Sequence, residues 1–195
     1  MAKIKLTKNE LKTQRDALKR FQRYLPTLQL KKQQLQMEMR KLDQAIHEKQ
    51  REEEKARDNL SNWVALYAEP IDLNAYVAIE SLKTSRGNIA GVNIPLLDEL
   101  VFHEEMPDLA KTPLWIDQGI QTLKKLMLLR AERQIMEEQH RLLGEELRTT
   151  TQRVNLFEKV KIPEAKENIR VIRIFMGDQQ TAAVARSKIA KGKSE

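Results

Sequence analysis

IKLTKNELKTQRDALKRFQRYLPTLQLKKQQLQMEMRKLDQAIHEKQREEEKARDNLSNW, residues 4–63, decides the fold. Alternating steps of three and four residues reach Ile4, Thr7, Leu11, Gln14, Leu18, Phe21, Leu25, Leu28, Lys32, Leu35, Met39, Leu42, Ile46, Lys49, Glu53, Ala56, Leu60 and Trp63. Thirteen of these 18 positions are apolar, against 41% of the whole chain. That excess sets a heptad period held in one register for the full stretch. A stripe two positions wide in seven is a coiled-coil seam rather than the face of a globular core helix, and it needs a partner helix of similar length. At about 1.5 Å per residue, the stretch makes a helix of roughly 90 Å.

The helix is expected to begin near Thr7, an N-cap residue with Glu10 three positions on as capping-box partner. Pro26 removes one intrahelical hydrogen bond and crowds the preceding turn. Leu25 and Leu28 hold the seam across it, so it reads as a kink and not an end. Lys49 and Glu53 put charge on the seam among Arg51, Glu52, Glu54, Lys55 and Arg57. Looser pairing, or cover from a third partner, is expected there.

The partner lies at the other end of the chain. A second long helix is expected from Thr112-Pro113, with threonine as N-cap and proline at the first helical position. Its seam runs Leu126, Leu129, Arg133, Met136, His140, Leu143, Leu147, Thr150, Val154 and Phe157, seven apolar in ten. The register then slips by one residue beside Pro163 and resumes at Ile162, Ala165, Ile169, Ile172, Met176, Gln179, Ala183, Arg186 and Ala190. Such a skip is a local change in supercoil winding. Arg133, His140 and Thr150 weaken the seam but can fix its register; a marginal coiled coil and cover by another subunit are both open readings.

Between the helices the pattern changes. Pro70, Pro95, Pro107, Pro113, Gly87 and Gly91 break helices. Val77 and Ile79 alternate, Ser81 breaks the alternation, and Leu82 falls on the other parity. Val92, Ile94 and Leu96 come next. This reads as a β-hairpin with a five-residue loop at Gly87–Gly91, then a short irregular segment, with Pro95 placing the second strand at an edge. The fold class is therefore mainly α: a long antiparallel two-helix coiled coil with a small β-hairpin-containing insertion between the helices. The segments are 1–68, the N-terminal coiled-coil helix; 69–112, the acidic hairpin and loop; and 113–195, the C-terminal helix and basic tail. The insertion caps the far end of the pair or folds back along it.

Charge is divided along the chain. The net charge is +7. Residues 69–112 hold three basic and eight acidic side chains, a net of −5, so the remainder carries +12. Lys3, Lys5, Lys8 and Lys12 are expected to meet Arg186, Lys188, Lys191 and Lys193 at one strongly positive tip. A basic surplus suits nucleic acid, an anionic membrane surface or an acidic protein partner. The absence of cysteine excludes disulfides and thiolate metal sites. No apolar run is long enough to span a bilayer, and no signal-peptide core stands at the N-terminus, which leaves the cytoplasm as the expected location.

The search for chemistry yields no catalytic residue, cofactor site or metal site. Gly192-Lys193-Ser194 imitates the end of a phosphate-binding loop, but Ser187 stands where the first glycine should be, and no strand–loop–helix context is expected there. His47, His103 and His140 lie far apart, without the spacing of zinc ligands. Glu52-Glu53-Glu54 and Glu104-Glu105 read as solvated charge.

Gln152-Arg153-Val154-Asn155-Leu156-Phe157-Glu158, followed by Ile162-Pro163, resembles a stretch of the D subunit of the V-type and A-type rotary ATPases. That family carries an Arg-Arg-Val-Asn-Ala-Leu-Glu-like run with an Ile-Pro pair a few residues on. Thr7-Lys8-Asn9-Glu10-Leu11 resembles its opening, and Val184-Ala185-Arg186-Ser187-Lys188-Ile189-Ala190-Lys191 is similar to the basic tails of bacterial members. Arg153, Val154, Asn155, Glu158, Ile162 and Pro163 match as signature positions without a catalytic role; Gln152, Leu156 and Phe157 depart from the pattern. The resemblance covers essentially the whole chain. It implies a non-catalytic central-stalk subunit, a rotor shaft that binds no nucleotide and works at the membrane's cytoplasmic side without inserting. The implied partners are the catalytic A and B subunits, the F subunit of the stalk and the subunit that links to the membrane rotor ring. A basic tip of Lys3, Lys5, Lys8, Arg186, Lys188 and Lys191 would engage a partner or serve only solubility, and the acidic insertion would sit in the membrane-proximal half, where it could tune the ATPase rate or be only the connector that closes the helical hairpin. Two other readings use the same helices: a nucleic-acid-binding arm, for which stacking aromatics are sparse, and a structural scaffold.

Overall fold

Thr7 starts the first helix, α1 (Lys8–Ser61). Its hydroxyl accepts the Glu10 backbone N–H at 3.3 Å and its carbonyl accepts that of Leu11 at 3.0 Å, so two of the donors orphaned at a helix start are satisfied. The Glu10 carboxylate accepts a hydrogen bond from Gln14 one turn on. In this computed structural model, which describes residues 4–61, 76–108, 112–113 and 115–193, α1 continues through Pro26. Beside the proline, the Thr27 hydroxyl donates to the Tyr24 carbonyl at 2.8 Å.

Every seam position of α1 between residues 11 and 56 is buried or half-buried. The heptad reading therefore identifies the covered face. The face is also wider than that reading: Glu10, Ala17, Lys31, Glu38 and Ala45, one position before the seam, are half-buried too. Trp63, the side chain of Leu60 and the change of pattern at Glu69-Pro70 lie outside the described residues.

The chain divides into two compact units. One, the middle unit, is Gln34–Leu147; the other, the terminal unit, is Met1–Gln33 with Arg148–Glu195. The middle unit holds an antiparallel hairpin of β1 (Val77–Ile89) and β2 (Val92–Glu104). The expected five-residue loop is instead a two-residue turn. Ala90 and Gly91 have φ of 51° and 81°, positive at both central positions as a type I′ turn requires. The Asn88 side chain accepts the Gly91 N–H at 3.0 Å. Gly87 lies within the strand, paired with Ile94. A Cβ there would stand 2.8 Å from Cδ1 of Leu96, so this glycine makes room for a neighbour and does not turn the chain.

Two bulges account for the broken alternation. Glu80 is left over between the pairs Ile79–Phe102 and Ser81–Val101, and Asp98 between Lys83–Glu99 and Thr84–Leu97. Each extra residue exchanges the faces of the residues after it, which is why Leu82 falls on the other parity.

Helix α2 (Ile116–Asn155) begins three residues after the expected start. Thr112 does not cap it; its hydroxyl donates to the Asp108 carbonyl at 2.9 Å. The hairpin folds back along this helix. Val77 is buried with Ile116 and Ile120, with Phe102, Trp115 and Met127 around them. Near the turn, Ile94 joins Leu35 and Leu143 in a second core, flanked by Met39, Leu42, Ile89, Val92 and Leu147. Gln139 donates its side-chain amide to the Pro95 carbonyl between these two cores. A two-stranded ribbon is marginal alone, and packing on α2 supplies its missing apolar partner.

Helix α2 runs into a π-helix (Leu156–Lys161) and then α3 (Ile162–Gly192). Asn155 and Ile162 keep right-handed helical dihedrals at the two junctions, so the backbone remains helical across them. The Ile162 N–H bonds the Phe157 carbonyl, five residues back. A π turn takes up one extra residue, the same one-residue slip seen in the heptads. Pro163 explains its position. A proline inside an α-helix withholds a donor from, and collides with, the carbonyl four residues earlier; here it falls in the first turn of α3, behind the widened turn.

Candidate functional site

Three features are built from the seams of these helices. In the middle unit, polar and charged seam residues find partners across the pair. Asp43 and His140 lie 2.9 Å apart, Lys49 and Glu132 2.9 Å, and Glu53 and Arg133 3.0 Å. From Asp43–His140 to the other two pairs the α1 numbers rise while the α2 numbers fall, so the helices run antiparallel. Lys49 and Glu53, expected to mark loose pairing or a third partner, are covered by α2 itself. Arg133 and His140, open between a marginal seam and cover by another subunit, are likewise answered within the chain. Thr150, the third polar position of this seam, is 1% exposed and belongs to the terminal unit.

Electrostatics follow from these contacts. The Lys49 ammonium is held above its ordinary value by hydrogen bonds to Glu132 and Glu52, against a smaller effect of burial. Burial works against the Arg133 charge, but Glu137 and Glu53 outweigh it and raise its pKa. On the outer face, Arg141 bridges Glu138 and Glu145 and holds the Glu138 carboxyl below its ordinary range.

The second feature lies in the terminal unit. The signature residues bracket the π-helix. Arg153 and Asn155 are exposed just before it, with Val154 buried at 4% exposure between them. Glu158 is exposed within it, Ile162 is half-buried at its end, and Pro163 is exposed. Phe157 packs on Phe21 of α1 with ring centroids 5.2 Å apart. Leu156 and Val160 face outward, 44% and 48% exposed. Further along, Asn168 reaches Gln14, so α1 and α3 are antiparallel here as well.

The third feature is the end of α3. Ala165, Ile169 and Ile172 are buried and Met176 half-buried, but the seam positions from Gln179 onward are exposed. Leu6, Thr7 and Lys8 line a shallow hollow with Met176, Gln179, Gln180 and Ala183. Lys8 is thus brought beside α3. Arg186, Lys188 and Lys191 continue beyond on an exposed helix, together with Val184 and Ile189. Lys5 is exposed near the start, and Lys3 lies outside the described residues.

Chemically these features bind and brace. Among the described residues no group of three or more His, Cys, Asp or Glu is placed to hold a metal ion, and no helix is long and apolar enough to cross a membrane. Gly192 ends a helix instead of opening one, opposite to a phosphate-binding loop. Sequence reading missed Asp43 and Glu132 as seam partners. Both stand one position to the side of a seam residue, where only the packed helices reveal what faces them.

A family model for the D subunit of ATP synthase matches residues 10–192. The chain is 50% identical over 191 residues to the V-type ATP synthase D subunit of Borreliella burgdorferi, covering 98% of this chain and 95% of that one. It is 37% identical over 195 residues to the protein of the same name from Chlamydia muridarum, covering 98% and 96%. With that of Chlamydia caviae the identity is 34%, covering 98% and 94%.

Proposed function

The chain belongs to the family of ATP synthase D subunits, and on that premise we propose that it is the non-catalytic central-stalk subunit of a V-type or A-type rotary ATPase. In this role it transmits rotation between the catalytic hexamer and the ring that moves protons or sodium ions. The observation that carries this reading is the family match along residues 10–192, which counts against a nucleic-acid arm and a free-standing scaffold.

The chain's features suit the task. A helix under torsion must not slide on its partner, and charged contacts across the seam resist sliding. Exposed apolar and basic residues on the last turns of α3, including Val184, Arg186, Lys188, Ile189 and Lys191, would enter the cavity of the catalytic A and B subunits. The F subunit of the stalk and the subunit linking to the membrane ring would take other surfaces of the shaft. The acidic hairpin would tune the ATPase rate without bearing torque. The protein would be peripheral to the membrane on its cytoplasmic side and hold no nucleotide.

Affinity purification of the full-length chain with its bound proteins tests the proposal. Recovery of catalytic ATPase subunits is expected, and removal of residues 186–195 should weaken their association or uncouple hydrolysis from ion pumping. Recovery of RNA without ATPase subunits would overturn it.

A further inference from the structure

By periodicity alone, the apolar part of the middle unit's seam does not choose one register. Heptads repeat every seven residues, so sliding α2 by seven along α1 sets most apolar positions opposite apolar positions again. The charged positions do not repeat in this way. We propose that the three pairs Asp43–His140, Lys49–Glu132 and Glu53–Arg133 form a register lock that selects one of the registers the apolar seam allows.

The geometry carries the argument. The four side chains of the two inner pairs are largely covered: Glu53 is 14% exposed, Arg133 23%, Lys49 27% and Glu132 28%. A slide of seven residues toward the start of α1 brings Arg133 to the level of Ile46, Glu132 to that of Leu42, and His140 to that of Gln36. The opposite slide brings Glu132 to Ala56 and His140 to Gln50. Each alternative strips these half-buried groups of their cross-helix counter-charge, leaving Lys49 with only Glu52 and Arg133 with only Glu137 on its own helix, and setting Glu132 against an apolar side chain, an arrangement that costs stability. The lock is graded, because Asp43 is 53% exposed and the outer pair is therefore the most screened by solvent. Gln139 ties the hairpin to α2 through Pro95, so the hairpin would move with α2 in a slide, although its contact with Leu35 also favours the native position.

The absence of native cysteine makes the register directly readable. A Cβ on Gly144 would lie 3.7 Å from the terminal carbon of Met39, so the full-length chain with Met39→Cys and Gly144→Cys, treated with a short thiol-to-thiol cross-linker that spans the lost methionine side chain, reports the native register. Ile46→Cys with Gly144→Cys reports a one-heptad slide. With the pairs intact, the cross-linker should join 39 to 144 and not 46 to 144. Reversing one side, Glu53→Arg with Lys49→Glu, should lower the 39–144 yield by about tenfold or more. Exchanging both sides, with Arg133→Glu and Glu132→Lys added, should restore it. A second variant removes the charges altogether: Lys49→Leu, Glu53→Ala, Glu132→Leu and Arg133→Leu should lower the 39–144 yield and bring up the 46–144 product. Persistence of the native cross-link in the one-sided reversal, or failure of the exchange to restore it, would overturn the lock. So would a helical charge-free variant that stays entirely in the native register, because the hairpin or the apolar packing would then suffice.

Discussion

Phe21 on α1 and Phe157 in the π-helix pack with ring centroids 5.2 Å apart and planes tilted by 42°. An aromatic pair thus braces the turn at which the helix takes up its extra residue. Tilted pairs add about 0.5–1.5 kcal/mol beyond their buried area. A double-mutant cycle with Phe21→Leu and Phe157→Leu, followed by denaturant unfolding, should return a coupling of about that size. Additive single effects would mean that the rings merely fill space.

The π-helix makes a second expectation. Deleting Lys159 removes the extra residue and moves Pro163 toward the interior of a regular helix, at a cost of about 3 kcal/mol. Adding Pro163→Ala to the deletion should recover most of that loss in thermal melts. If the deletion is already neutral, the proline is not what holds the wide turn in place.

Seam residues should outrank surface charges. Leu35 and Leu143 are both 0% exposed, so Leu35→Ala and Leu143→Ala should each cost about 2–5 kcal/mol. Leu28 is half-buried, and Leu28→Ala should fall at or below the low end of that range. Charge reversals at the exposed Glu54 and Arg57 should stay under about 0.5 kcal/mol. Chemical denaturation of these variants gives the ranking, and the opposite order would disprove the assigned faces.

Lys49 gives a pH dependence of defined sign. Its folded pKa is raised above the ordinary 10.5, chiefly by Glu132 and Glu52. A raised folded value stabilises the protein fully below pH 10.5 and stops doing so as the pH climbs through the folded value. The side chain is partly solvated, so the effect should be no more than about 1 kcal/mol. Melts of the parent should lose more stability above pH 10.5 than melts of Lys49→Arg, whose guanidinium stays charged. Identical curves would show that the ammonium contributes nothing across the seam.

The sequence alone determined that two long helices pair through heptad seams, because a coiled-coil face is written in local periodicity. Leu11, Leu18, Leu35, Leu143 and Val154 needed no tertiary information to be placed on it. It also determined the family, since the residues from Arg153 to Pro163 are contiguous in the chain, and it exposed the one-residue slip beside them. Only the tertiary structure decided what that slip is. A skipped residue can be absorbed by unwinding a supercoil or by widening one turn, and the Ile162–Phe157 hydrogen bond selects the second. The hairpin turn is shorter than expected for a similar reason. Gly87 and Gly91 look alike in sequence, yet one is dictated by a positive φ at Gly91 and the other by Leu96 lying across the strand. The partners of His140, Lys49 and Arg133 were hidden most completely. They lie roughly 80 to 100 residues away along the chain, and a charge on a seam carries no local mark of the opposite charge that folding brings to meet it.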